Sequence, residues 1–210
     1  MALTYRGFYR FKFCPSPARE NFQNQSLTKK NRNAIIMKKP KFAFTASVEI
    51  FKKKGAFELA DKTNHRTLGI WALECTERVM SYFEDAYPDD SRPHQALLAL
   101  QEWIDTGAFS MKAFRAVALP AHAAAKEIGN NCPAASVAHA AGQAAGTAHG
   151  PRHCFGAANY ALQAIYRATN DNNEAKLAAT KEQNWQLQRL QELSENGGND
   201  IPSSQTLWRG

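Results

Sequence analysis

The chain is poor in the features that announce chemistry. It has four cysteines, at 14, 75, 132 and 154, and no two stand in a C-x-x-C pair. That spacing argues against a thiolate zinc site, and a 210-residue chain with so few cysteines is not a small disulfide scaffold. Free thiols in a reducing cytoplasm are expected. No run of 18 apolar residues exists, so neither a membrane span nor a membrane partner is predicted. The leading residues, MALTYRGFYRFKFCPSP, lack an apolar stretch of the kind a secretory signal needs. Strand-type alternation is missing after residue 55, which argues against a sheet. No repeat of about 33–47 residues supports a solenoid.

Reaction signatures are missing too. There is no G-x-S-x-G, no Walker-type glycine loop, no G-x-G-x-x-G following a strand and no H-E-x-x-H. No cofactor is implied. Acidic residues are absent from Ile128 to Thr169, so carboxylate ligands are lacking where histidines are most frequent.

The net charge of +7 is unevenly placed. Residues 1–54 hold 13 Lys and Arg against 2 Asp and Glu, a net +11, while residues 55–210 hold 13 against 17, a net −4. A basic domain surface for nucleic acid is therefore unsupported. In the arm, Tyr5, Phe8, Tyr9, Phe11 and Phe13 interleave with Arg6, Arg10 and Lys12, a pattern suited to stacking and phosphate contact. The composition points instead to a disordered extension over 1–36, with a compact protein beginning comfortably at Met37.

What is present is helix. The segment from Pro133 to Ala168 is rich in Ala, which loses no side-chain entropy in a helix. It also holds Gly142, Gly146 and Gly156, each costing about 1 kcal/mol in a helix interior. Gly142 and Gly146, four apart, lie on one face, and close approach of a neighbouring helix is their simplest purpose. Around this centre the periodicity predicts helices over 67–87, 92–106, 111–128, 133–149, 152–169 and 174–193. Ser91 or its neighbour and Ser110 are the expected caps, and Gly107 an expected stop. Pro120 should bend or break its helix. Residues 42–51 are expected to be extended or irregular, and 196–210 disordered. The fold class is all-α, a bundle of about six helices spanning 37–195.

Two groups of residues are site candidates. His122, His139, His149 and His153 form the first. His149 and His153 have the i, i+4 spacing that can pair rings, and with a carboxylate such a set could hold zinc or iron. Gly150-Pro151 between them and the missing carboxylates favour the plainer role of anchoring tight helix contacts by hydrogen bonds. A His-based metal-binding or enzymatic bundle, built on His139, His149 and His153, remains the alternative function. The second group is Glu84, Asp85, Asp89 and Asp90, an acidic turn that could face a basic partner.

Three blocks, WALECTERVMSYFEDAYPDDSRPHQAL, AFRAVALPAHAAAKE and AAGQAAGTAHGPRHCFGAANYALQAI, occur in this order over residues 65–168. Together they resemble the immunity-protein-five-like helical family of bacterial polymorphic toxin systems. The resemblance implies an all-helical cytoplasmic domain that neutralises a protein toxin, and it brings no catalytic residues. It names no toxin and fixes no oligomeric state. The basic arm, Pro120 and Pro151 depart from the family's pattern.

Overall fold

The computed structural model describes residues 41–129 and 131–196, which form nine helices and no strand among them. The expected disordered segments, 1–36 and nearly all of 196–210, lie outside the described residues. The first helix, α1 (Phe44–Lys53), corrects the expectation of an extended piece. Ser47 and Phe51, four apart, are its buried residues, so the spacing was helical all along. Gly55, at φ 73°, turns the chain into α2 (Ala56–Lys62). The side chain of Asn64 then accepts from Arg66 N–H and caps α3 (His65–Glu77).

The helix expected to run from 67 to 87 is interrupted. At its end the backbone tightens, Val79 N–H bonding Thr76 C=O and Met80 N–H bonding Glu77 C=O. The chain resumes as α4 (Ser81–Glu84). This redirection keeps Val79, Met80 and Phe83 buried while laying α4 against α7.

Helix α5 (Arg92–Thr106) and helix α6 (Met111–Ile128) form a hairpin. Ser91 makes no capping bond; its neighbour Asp90 does, accepting from Arg92 N–H at 3.1 Å. Gly107 ends α5 at φ 73°, and the Ser110 hydroxyl caps α6 by accepting from Ala113 N–H. Pro120 does not break α6. Its ring has no N–H to offer the carbonyl four residues back, that of Ala116, which lies on the helix's exposed flank.

Helix α7 (Pro133–Gly146) stops three residues short of expectation. After the 147–152 turn come α8 (His153–Ala168) and α9 (Asn172–Glu195), the latter capped by Asp171. Helix α7 is the centre, packed most extensively against α8 and α6 and also touching α3, α4 and α5. Helix α9 closes the far side over α8 and α3. There the Trp71 indole donates to Gln186 C=O at 2.8 Å, and Phe155 packs on Trp71, Phe51 and Phe57. Two bidentate ion pairs, Arg78–Glu182 and Arg189–Glu74, clamp α9 to α3 and its following turn.

Cys75 and Cys154 are buried free thiols, and burial pushes Cys154 up to about 12. Cys132 is disulfide-bonded, so the expectation of free thiols does not extend to it. No helix among the described residues is long and apolar enough to cross a membrane.

Leu100, with no solvent exposure, sits in the shared core of α5. Leu100→Ala should cost about 2–5 kcal/mol in chemical denaturation, through lost burial plus the cavity left behind.

Candidate functional site

Twelve of the fourteen residues of α7 are buried; His139 and Gln143 are the two that are not. They sit four apart, partly exposed, on the strip of α7 that lies between His122 of α6 and His153 of α8, the floor of a polar slit between the two helices. Helix α6 contributes His122 to one wall. Helix α8 contributes His153, Gly156, Tyr160 and Arg167 to the other, all partly exposed and spaced three, four and seven apart on one face.

The polar contacts run along this floor. His122 Nδ1 and His139 Nδ1 are 3.0 Å apart, so one ring donates and the other accepts. His139 stacks on Tyr160 with ring centroids 4.9 Å apart. Gln143 Oε1 accepts from His153 Nδ1 at 2.7 Å, and His153 lies beside His149, rings 4.8 Å apart. At the other end Arg167 Nη1 donates to Ser136 Oγ at 2.8 Å.

The glycines find their reason here, in side chains of the neighbouring helices. A Cβ on Gly142 would sit 2.7 Å from His122 Nε2, one on Gly146 would sit 3.1 Å from His153 Cγ, and one on Gly156 would sit 2.5 Å from Gln143 Oε1. The space is taken by imidazoles and an amide, not by a crossing backbone. Each glycine is the flat bed of one polar side chain in the slit.

Every described charge near the floor is positive. Burial, then His122, Arg167 and Lys126, pushes the His139 imidazole down to about 4. Burial, then Lys126 and His153, lowers His122. Burial, then His149, lowers His153. The rings are therefore neutral at pH 7, and the slit's potential is set by Lys126 and Arg167.

The four predicted histidines are thus brought to one region, but as two pairs rather than one set. His149 is exposed at the slit's end. Among the described residues no group of three or more His, Cys, Asp or Glu could hold a metal ion. Of the acidic residues, Asp90 is engaged by Arg92, which also bridges to Glu127 on α6 at 2.6 Å. Asp90 therefore latches the start of α5 to the end of α6, and Arg92 holds its carboxyl below the usual range. Glu84, Asp85 and Asp89 are exposed. Gln143, Tyr160, Lys126 and Arg167 were not foreseen. The signal was available: on α8, His153, Tyr160 and Arg167 repeat every seven residues, two helical turns.

Two outcomes follow. Gly142→Ala should lower stability by about 1–2 kcal/mol, overpacking against His122 outweighing its helix gain, and Gly146→Ala should cost less. Thermal melts rank the two variants. As for pH, between about 6.5 and 4 the unfolded chain binds the His139 proton and the folded one does not. Stability from this group is full at pH 7 and lost as pH falls, by up to about 1–2 kcal/mol at pH 5 once solvent access is discounted. Glu77 acts oppositely: burial, then Glu74, raises it from 4.5 to about 7, so its contribution to stability falls as pH rises through that window and the loss is complete above it. His139→Gln should therefore flatten the acid-side loss, and Glu77→Gln should raise stability at pH 8, both read from denaturation midpoints.

No curated protein and no solved structure matches the chain. A family model does, described as "Imm-5 like putative immunity protein", over residues 58–193. The matched span runs from α2 to the last turns of α9 and takes in both walls and the floor of the slit. The chain belongs to the Imm-5 like immunity protein family.

Proposed function

We propose that the chain is a non-catalytic cytoplasmic immunity domain that neutralises a partner toxin by covering its surface. Family membership supplies the class. The observation that carries the binding reading is the outer edge of the α5–α6 hairpin. Phe109 is 46% exposed, Met111 39% and Leu119 63%, and Phe109 stacks on Phe114 at 5.5 Å. Large apolar side chains left in water beside one another mark surfaces that meet other proteins. Lys112 and Arg115 flank them, both exposed.

The acidic turn is the second contact in this reading. Asp85 and Asp89 stand exposed at the opposite end of the hairpin, where they can meet basic groups of the toxin, while Glu84 lies 3.9 Å from His94 Nδ1 and Asp90 is occupied by Arg92. Exposed carboxylates of this kind raise the rate of encounter more than the final affinity. Immunity needs binding and no bond-making, so the reading asks nothing of the histidines as catalysts. The alternative, a His-based metal or enzymatic bundle, finds its residues split between the His122–His139 and His149–His153 pairs.

The test is co-expression with a toxic C-terminal domain taken from a neighbouring gene. Growth should be restored, and the purified pair should bind directly. Leu119→Asp with Phe109→Asp should weaken binding tenfold or more with the helical content unchanged, since both side chains already lie in water. Restored growth with no complex, or unchanged affinity of the double variant, would refute the surface assignment. Elemental analysis should find no stoichiometric zinc or iron.

A further inference from the structure

Among the described residues, four guanidiniums pair with carboxylates, and that of Arg115 is exposed. Arg78 pairs with Glu182, Arg92 with Asp90 and Glu127, Arg152 with Asp61, and Arg189 with Glu74. Arg66 instead closes on the Ile104 and Asp105 carbonyls at the end of α5. Arg167 is partly buried yet reaches only a neutral hydroxyl, Ser136 Oγ, which itself donates to Gln163 Oε1 at 3.1 Å. No described carboxylate pairs with it, and none exists in the sequence between Ile128 and Thr169. The C-terminal turn of α8 offers partial negative charge, which is weaker than a carboxylate.

The surroundings share this bias. His139 is in contact with His122 from α6 and Tyr160 from α8, and the charges of Arg167 on α8 and Lys126 on α6 act on it. Beyond Tyr160 stands Phe44, ring centroids 5.1 Å apart, which walls that side with apolar surface. Half-buried positive charge without a counter-charge costs free energy that a bound anion recovers.

We propose that the end of the slit bounded by His139, Tyr160, Lys126 and Arg167 is a binding site for an oxyanion, a carboxylate or a phosphate. Arg167 supplies a charged donor fork of the shape such groups accept. When His122 donates its Nδ1–H to His139 Nδ1, His139 keeps its own proton on Nε2 and has that donor to offer. The site stands on these contacts alone and does not depend on the toxin reading.

The experiment is an NMR titration of the histidine imidazoles in the full-length chain. The His139 signal is assigned by its loss in His139→Gln. The titration is run in chloride, in acetate and in inorganic phosphate at matched ionic strength. An anion bound at Arg167 favours the protonated ring, so the His139 midpoint should rise by about one unit or more. A rise in acetate identifies a carboxylate-type site, and a rise in phosphate alone identifies a tetrahedral oxyanion. Arg167→Gln should abolish the rise, while Arg167→Lys, which keeps the charge, should retain part of it. Equal midpoints in all three salts would overturn the proposal, as would a full rise in a folded Arg167→Gln protein.

Discussion

The burial of α7 constrains everything around it. A helix touched by α3, α4, α5, α6 and α8 has no room for large side chains on most of its circumference. Ala and Gly are what such a position admits, because each added methylene would have to displace a close-packed neighbour. The small side chains bring α6 and α8 close to α7, and the gaps over Gly142, Gly146 and Gly156 are then filled by His122, His153 and Gln143. Packing and polarity are one arrangement here. The imidazoles are the volume that completes the core's edge, and the glycines are the volume withheld to receive them.

Electrostatics follow from the same segment. An Ala-rich helix flanked by another without acidic residues leaves nothing negative near the imidazoles. They are neutral at pH 7 because protonation would add positive charge beside Lys126 and Arg167 in a partly dewatered place. The rest of the bundle is handled oppositely, with carboxylates set against guanidiniums wherever α3, α5 and α9 meet their neighbours. The result is a cationic slit on one side and an acidic turn, Glu84 to Asp89, on another. Of the exposed apolar residues, Phe109 and Met111 lie at the free end of the α5–α6 hairpin, and Leu119 lies midway along α6.

Much of this was legible beforehand, unevenly. The stripe Trp71, Cys75, Val79 and the Gly107 and Ser110 boundaries were readable because they depend on neighbours within four residues. The α1 helix was missed, since two aromatics and a β-branched run resemble a strand until Phe51 has a core to enter. The tightened turn after Glu77 was missed because the apolar spacing continues through it unchanged. The glycines were noticed and assigned to close approach of a neighbouring helix, with no residue named for the contact. Nothing local to Gly142 says that His122, twenty residues away on another helix, will lie upon it. The absence of carboxylates between Ile128 and Thr169 was read only as the lack of metal ligands. Its other meaning, a guanidinium left without a counter-charge, appears once Arg167 is placed.

The sequence by itself determined an all-helical chain, its principal helix boundaries and its family, because periodicity, caps and motif order are written along the chain. Tertiary structure alone decided which residues share the slit, that the histidines divide into two pairs, and that Arg167 and Lys126 stand beside one of them. Those facts depend on how helices α6, α7 and α8 rotate about their axes as they pack. That rotation is set by contacts between residues far apart in sequence, and no local pattern carries it.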